Sequence, residues 1–382
     1  MLRREMARQP ENSIILKKLQ EDYEYDAIET CAGDGSCSLQ CPIGINTGSL
    51  MREFRKREHS EHSEAIALRV AKNWDKVEHY ARVGLKAEDI LQHVAGTIPA
   101  EIATGIARAL ISPDLFPSVP GPMPRAAGKL PVTLSEDAAA VYFPACINRM
   151  FGRDPDADEE PSIFEALVRL SDRAGSPLWI PTDVVGLCCS TPFSSKGYVQ
   201  AHQHMAQAIA EALWRWSDKG RLPVVVDAAS CTLGLVEDVG NHLESPIREQ
   251  YKQIQILDSI QWCQSLLPKL SIRQPLERII LHPTCSMNHL KLTEGLEEIA
   301  GKLAKEVEIP LGSACCGTAG DRGLLHPELV KSATKEEAES VKNSHADAYL
   351  SANRTCEMGM RHATGKPYES FVFALERLSR VS

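Results

Sequence analysis

The sequence of 382 residues predicts an α/β protein, in which a helical N-terminal third precedes two repeated α/β modules with mostly parallel sheets. Two observations predict this fold. Beyond residue 138, short apolar runs alternate with amphipathic stretches, as in chains that build strand–helix–strand units. Cysteines follow these runs in the same order twice, which indicates an internal duplication.

The composition restricts the classes of partner and the cell compartment. A net charge of −9 argues against a nucleic-acid partner. No uncharged apolar run is long enough for a transmembrane segment, and the first ten residues lack the apolar stretch of a secretory signal. We expect a cytoplasmic protein, with peripheral attachment at the inner face of the membrane as an alternative. Because the cytoplasm keeps thiols reduced, the twelve cysteines favour metal or redox chemistry over disulfides.

Residues 1–111 are predicted to form a helical domain. Residues 1–30 interleave Glu and Lys as a helix does, and a cysteine-containing loop follows. Further along, apolar residues recur at steps of three and four, which predicts one long helix with a single apolar face. These residues are Ile66, Val70, Trp74, Val77 and Ala81.

Residues 112–137 are predicted to be a linker, because the segment Ser112–Pro124 has too many prolines for a helix or a central strand. The two modules are expected at residues 138–260 and 275–382. Their predicted strands are the apolar runs 139–143, 177–180, 223–227, 278–282 and 348–350.

The duplicated cysteines predict two metal sites. Cys146, the pair Cys188 and Cys189, and Cys231 correspond in order to Cys285, the pair Cys315 and Cys316, and Cys356. Because the carboxyl ends of parallel strands meet at one edge of a sheet, each copy should gather four thiols there. Four sulfur ligands suit zinc or an iron–sulfur cluster, and both stay open at this point. Adjacent cysteines favour a cluster, since their side chains diverge and can reach two irons.

Other candidate residues receive simpler interpretations. Cys263 stands alone and is expected to be a small buried hydrophobic residue. Five histidines are expected to be solvated or to end strands, because nothing in the sequence pairs them: His59, His62, His202, His204 and His282. The sequence has no serine-hydrolase, zinc-protease, phosphate-loop or dinucleotide motif.

The segment Cys31–Pro42 is a variant of the ferredoxin run C-x2-C-x2-C-x3-C-P. Cys31, Cys37 and Cys41 fit the run, while Asp34 stands at the second cysteine position. Asp34 is either an oxygen ligand of an iron or a turn residue, because Asp-Gly is a strong turn pair. In two-cluster ferredoxins the cysteine before proline ligates the other cluster, so Cys41 requires a second motif, which this sequence does not contain.

Three segments carry a resemblance to a known family. They are Y-E-Y-D-A-I-E-T-C-A-G-D-G-S-C, C-C-G-T-A-G-D-R-G-L-L-H-P-E-L and S-A-N-R-T-C-E. With them the sequence resembles, almost end to end, the iron–sulfur half of FAD-linked D-lactate dehydrogenases and glycolate oxidase-type enzymes. The resemblance implies a ferredoxin-type cluster domain followed by two cysteine-rich CCG domains, which also occur in heterodisulfide reductase.

The resemblance also implies the cofactors. Aspartate is usual in that family at the position of Asp34. Cys31 and Cys37 would bind a [4Fe-4S] cluster together with a complete cysteine run upstream, and Cys41 would serve the upstream cluster. In the family that run and a flavin domain precede the segment L-R-R-E, so FAD is expected on a partner chain or in a missing domain.

The CCG repeats depart from the heterodisulfide reductase form. Cys231 and Cys356 stand alone where that form has a C-x-x-C pair, and the first copy reads C-C-S with Ser190 in place of C-C-G. The expectation for a CCG site is a noncubane [4Fe-4S] cluster or zinc. In the first copy zinc or an empty site is the alternative.

These features predict an electron-transfer subunit of a FAD-dependent D-2-hydroxy acid dehydrogenase, with D-lactate as the first candidate substrate. No residue of this chain is then expected to touch the substrate, and the electron acceptor would be a quinone, a cytochrome or another carrier. Two alternatives are a thiol/disulfide redox subunit resembling heterodisulfide reductase and a zinc-bound scaffold that docks the flavoprotein.

Overall fold

The computed structural model describes residues 2–95, 118, 123–157 and 161–380. It confirms the predicted α/β class, with two four-stranded sheets in which every pair of neighbouring strands is parallel. The first sheet contains β1 (Ala140–Phe143), β2 (Leu178–Trp179), β3 (Val224–Val226) and β4 (Ile256–Asp258). The second contains β5 (Leu276–Leu281), β6 (Ala304–Glu308), β7 (Ala348–Ser351) and β8 (Tyr368–Ser370).

The two sheets have the same topology, as a duplication requires. Their strand orders are β2-β1-β3-β4 and β6-β5-β7-β8. In each sheet the carboxyl halves of the two inner strands are buried, because helices cover both faces. The predicted domain limits at 1–111, 112–137, 138–260 and 275–382 stay predictions, and much of the proline-rich segment lies outside the described residues.

The N-terminal part is helical, but two of its predicted helices are wrong in detail. Residues 1–30 do not form one helix. The helical structure is interrupted near Pro10, and the second helix is followed by a π-helical turn at Glu24–Glu29. The predicted long helix is interrupted at Asn73. The described helices here are Leu2–Met6, Ile14–Tyr23, Ser36–Gln40, Thr47–Glu58, Glu61–Lys72 and Trp74–Ala95.

The predicted apolar face is wrong for Ile66 and Val70, because both side chains are exposed. Its later members hold, since Trp74 is buried and Val77 packs against the core, but in the preceding helix the buried residues are Ala67 and Ala71. Small alanine side chains let this helix lie close to the helix Val199–Trp216 of the first module.

The modules add helices around the sheets. In the first module they are Cys146–Met150, Ile163–Arg173, Thr191–Ser194, Val199–Trp216, Ala229–Leu233, Ile247–Tyr251 and Ser259–Leu266, with shorter turns at Gly234–Asp238, Val239–His242 and Leu267–Lys269. In the second they are Cys285–Leu290, Thr293–Leu303, Arg322–Leu325, Pro327–Ala333, Lys335–Lys342, Arg354–Thr364 and Phe371–Leu378.

The two modules pack reciprocally through equivalent helices. The first long helix of module one, Ile163–Arg173, lies against the last helix of module two, Phe371–Leu378. In the reciprocal contact, Ser259–Leu266 lies against Thr293–Leu303. One hydrophobic core runs through both modules, so their cysteine-bearing edges are held in a fixed relation. None of the described helices is long and apolar enough to cross a membrane.

Candidate metal centres

In the first module, four thiols meet at the carboxyl edge of the sheet. Cys146 begins the helix after β1, and Cys231 lies in the helix after β3. The pair Cys188 and Cys189 lies in the loop after β2 and completes the group. Cys146 Sγ lies 3.8 Å from Cys188 Sγ, and thiol hydrogen bonds join Cys188 to Cys189 and Cys189 to Cys231. All four are buried, and the structure leaves every cysteine of the chain a free thiol.

Buried polar residues fix the backbone around this first group. Asp227, just after β3, accepts hydrogen bonds from Tyr142 Oη and from the amide of Ala145, both at 2.6 Å. Burial raises the pKa of this carboxyl. Arg149 forms a buried ion pair with Glu78 and donates to the carbonyl of Leu187, which precedes the cysteine pair. These contacts hold the two cysteine-bearing segments in register.

The second module repeats the arrangement. Cys285 begins the helix after β5, and Cys356 lies in the first turn of the helix after β7. Cys316 Sγ lies 3.0 Å from Cys356 Sγ, and thiol hydrogen bonds join Cys285 to Cys315 and Cys315 to Cys316. Unlike the first group, this one is partly open, because Cys285 and Cys315 are only half-buried.

The residue after each cysteine pair adopts the same unusual backbone conformation. Gly317 has φ of +71° and Ser190 has φ of +65°. The first copy therefore keeps the left-handed turn although serine replaces the glycine of the C-C-G motif. A left-handed serine is strained relative to glycine, which indicates that the turn is required to direct the cysteine pair.

The second group includes a histidine that the sequence interpretation set aside. His282 follows β5 directly, is fully buried, and was expected to have no partner. Instead Nδ1 lies 2.8 and 2.9 Å from the two carboxylate oxygens of Glu337. A ring nitrogen of His282 and the sulfurs of Cys316 and Cys356 all lie within 4.8 Å of one another. The sequence contained a clue to this residue. The two copies of the motif differ here, because Phe143 occupies in the first copy the place that His282 occupies in the second.

The ferredoxin-like loop supplies three more thiols. Cys31 and Cys41 are half-buried and Cys37 is exposed. Burial opposes ionisation of Cys37, but hydrogen bonds from Thr47 lower the pKa of its thiol. Among the described residues, these three sulfurs do not form a group within 4.8 Å of one another. By themselves they do not make a closed metal site.

Asp34 points to the second module. Its carboxylate accepts hydrogen bonds from the amide and hydroxyl of Ser36, as a turn residue does. A carboxylate oxygen also lies within 4.8 Å of the sulfurs of Cys285 and Cys315, which lie within 4.8 Å of each other. The loop thus closes over the open side of the second cysteine group.

Two arginines, Arg55 and Arg322, lie beside this loop. Arg55 donates to the carbonyls of Cys31 and Ser195, each at 2.6 Å, and to Ile28. Burial, and then the nearby charge of Arg322, lower the pKa of Arg55 to about 10. Both guanidinium groups lie close enough to Cys31 for its charge to act on them.

The chemistry of the donors fits a metal or cluster in both modules. Hydrogen bonds with neighbouring cysteine sulfurs, followed by burial, raise the pKa of Cys188, Cys231, Cys285 and Cys316 well above the ordinary value of a thiol. Four thiolates so close together repel one another, so they cannot all ionise without a cation. A metal ion or cluster would supply that charge and bind the thiolates.

Comparison with known proteins supports the same chemistry. Residues 279–361 match the family model of the cysteine-rich CCG domain. The chain is 23% identical over 214 residues to the glycolate oxidase iron–sulfur subunit of Escherichia coli, an alignment that covers 53% of this chain and 51% of that subunit. It is 22% identical over 220 residues to lactate utilization protein A of an Exiguobacterium species, covering 54% of this chain and 86% of the relative.

A third relative belongs to a different enzyme. The chain is 20% identical over 212 residues to one subunit of the CoM/CoB fumarate reductase of Methanothermobacter marburgensis, covering 54% of this chain and 40% of the relative. The alignment with the Escherichia coli subunit spans about half of the length of that subunit. The predicted resemblance to the iron–sulfur half of FAD-linked oxidases is confirmed, and the second module is a CCG domain.

Proposed function

We propose that this chain is the electron-transferring iron–sulfur subunit of a FAD-dependent D-2-hydroxy acid dehydrogenase, with D-lactate as the first candidate substrate. The observation that carries the proposal is the convergence of four free thiols at the carboxyl edge of each parallel sheet. Similarity to a glycolate oxidase iron–sulfur subunit and to lactate utilization proteins supports the substrate class.

The residues have separate tasks in this proposal. Two sets would hold a metal or cluster: Cys146, Cys188, Cys189 and Cys231 in the first module, and Cys285, Cys315, Cys316 and Cys356 in the second. An iron–sulfur cluster supplies one-electron transfer when bound. Zinc stays the alternative in the first site. Cys31, Cys37 and Cys41 would contribute to [4Fe-4S] ligation together with cysteines outside this chain.

The surroundings of the thiols would tune the potential of the site. Hydrogen bonds to the ligating sulfurs stabilise their negative charge, and burial opposes it, so both shift a reduction potential. In the second module Cys316 Sγ lies 2.8 Å from Thr318 Oγ1, and the Gly317 amide donates to Cys315 Sγ at 3.4 Å. In the first, Cys189 donates to Thr191 Oγ1 at 3.3 Å.

The partners follow from the same proposal. FAD would reside on a partner chain or in a further domain, and electrons would leave to a quinone, a cytochrome or another carrier. We propose a cytoplasmic location, at the inner face of the membrane if the acceptor is a quinone.

Metal content tests the ligand assignment. Protein purified without oxygen should be brown and contain iron and acid-labile sulfide. Replacing Cys356 by Ser should remove most of the iron from the second site, because it deletes one of four convergent thiols. Cys263→Ser is the matched control, since Cys263 is equally buried but lies in the core of the first module away from these groups. Equal iron content in both variants would contradict the assignment.

Electron transfer needs a separate test with the physiological partner. The tagged chain should co-purify with a flavoprotein that reduces the iron of this chain when D-lactate is added, and less well with L-lactate. The reduction can be followed by electron paramagnetic resonance. A colourless protein with zinc alone would favour the scaffold, whereas reduction of a disulfide substrate without a flavoprotein would favour the heterodisulfide-reductase alternative.

A further inference from the structure

The second cysteine group has a donor that the first group lacks. His282 and Phe143 occupy the same place in the duplicated motif, at the carboxyl end of the first central strand and three residues before the first cysteine. Both side chains are fully buried. A buried phenylalanine needs no polar partner, but a buried imidazole has two nitrogens to satisfy.

Only one of these nitrogens has an oxygen or nitrogen partner within the part of the chain that the structure describes. Nδ1 lies 2.8 Å from a carboxylate oxygen of Glu337, which is itself buried. An ionised carboxylate only accepts hydrogen bonds, so Nδ1 carries a proton and Nε2 is the nitrogen whose lone pair a metal could use. Nε2 is buried, and apart from the thiol of Cys356 it has no hydrogen-bond partner among the described residues.

The other nitrogen faces the thiols. A ring nitrogen of His282 and the sulfurs of Cys316 and Cys356 all lie within 4.8 Å of one another, and Nδ1 is already engaged by Glu337. An imidazole whose far nitrogen donates to a carboxylate is the usual arrangement of a metal-binding histidine. A thiol is only a weak hydrogen-bond partner, so the thiol of Cys356 does not replace the strong partner that a buried imidazole nitrogen normally has.

We propose that His282 Nε2 is a metal ligand of the second site, which then has a mixed thiolate and imidazole donor set. Glu337 is a positioning residue that fixes the ring and its tautomer. This inference rests on the metal-binding part of the proposed function. The first site is restricted to thiolates at this place because Phe143 offers no donor atom.

The proposal implies that the two sites differ in potential. A neutral imidazole places less negative charge on a metal than a thiolate does, and replacing cysteine by histidine ligands raises the potential of iron–sulfur centres. The second site should therefore be reduced more readily than the first if both hold iron. In the His282→Phe variant, which introduces the residue of the first module, this difference should shrink.

X-ray absorption at the edge of the bound metal tests the ligand directly. An imidazole ligand gives a characteristic multiple-scattering pattern in protein purified without oxygen. The pattern should be present in the wild type and lost in His282→Phe. The matched control is His202→Gln, because His202 is also buried but lies near Asp238 and His242. That variant should keep the pattern.

The outcomes separate this inference from the proposed function. Absence of imidazole scattering in the wild type overturns the inference without any variant, so it stays decidable if His282→Phe does not fold. If imidazole scattering is seen at the zinc absorption edge and the protein contains no iron, the result supports His282 as a ligand but contradicts electron transfer. Persistence of the pattern in a folded His282→Phe variant shows that another histidine is bound, and a protein that binds neither iron nor zinc overturns both proposals.

Discussion

At the scale of single residues, buried charges link the helical region to the first cysteine group. The side chains of Glu78 and Arg149 are 1% and 2% exposed and form a two-point ion pair. Arg149 lies in the same short helix as Cys146 and also donates to the carbonyl of Pro144 at 2.6 Å. Loss of one partner would leave a charge in the core that water cannot reach.

We expect Glu78→Gln to lower the free energy of unfolding by about 3 kcal/mol, because removing one partner of a buried ion pair typically costs 3–5 kcal/mol and glutamine keeps part of the hydrogen bonding. Denaturant unfolding of the metal-loaded protein measures it. Glu249→Gln is the control, since the pair of Glu249 and Lys252 is exposed on both sides and should contribute less than about 1 kcal/mol. Equal effects would show that the buried pair has no special role.

A second prediction concerns His202 and pH. Burial, partly offset by the charge of Asp238, lowers the pKa of His202 to about 4. As the pH falls below about 6.5, His202 therefore takes up a proton in the unfolded chain but not in the folded protein. This difference favours unfolding, so the free energy of unfolding decreases as the pH drops from 6.5 towards 4. Between pH 7 and pH 5 the wild type should lose on the order of 1 kcal/mol more than His202→Gln. Melting temperatures at both pH values test it, and parallel curves would contradict the assignment.

At the scale of elements, the sequence predicted all four inner strands and one edge strand, β2, but missed the other three edge strands. The runs at 139–143, 223–227, 278–282 and 348–350 correspond to the inner strands β1, β3, β5 and β7, which are buried on both faces and thus read as continuous apolar segments. The edge strands β4 and β8 were missed because each is only three residues long and contains an acidic residue. The edge strand β6 was missed because it exposes Lys305 and Glu306 and so does not form an apolar run.

The candidate sites, too, could be predicted only in part from the sequence. The cysteine groups could be predicted because thiols recur at fixed places after strands. The contact of Asp34 with Cys285 and Cys315 could not, since it depends on how a distant loop docks on the second module. His282 was missed because its partner Glu337 lies in a helix far along the chain, although its alignment with Phe143 was visible.

The turn after the second cysteine pair gives a prediction for an element. A Cβ on Gly317 would lie 2.6 Å from the carbonyl oxygen of Leu329, and the φ of +71° disfavours alanine independently. Gly317→Ala should therefore displace the cysteine pair, lower the iron content and reduce the melting temperature. Gly301→Ala is the matched control, because it lies within a helix with open space around it. That change should stabilise the protein by about 0.5–1 kcal/mol.

At the scale of the whole molecule, the parts are held by different forces. The two modules share one continuous hydrophobic core. In residues 2–60, by contrast, Ile28 and Met51 are the buried hydrophobic side chains among those described. This region is attached mainly by polar contacts, such as Arg55 with the carbonyl of Ser195 and Tyr25 with Glu328. Its loop covers the open side of the second cysteine group.

Metal removal should therefore loosen the N-terminal region before the modules. Without a cation the second group takes up protons and no longer attracts the carboxylate of Asp34, which weakens the contact of the loop with this group. After anaerobic chelation, trypsin should cut first at Lys56 and Arg57, while Lys252 in the first module stays protected as in the metal-loaded control. Mass spectrometry of timed digests identifies the order. Simultaneous loss of all regions would mean that the metal sites stabilise the shared core itself, and unchanged digestion would mean that the loop docks independently of them.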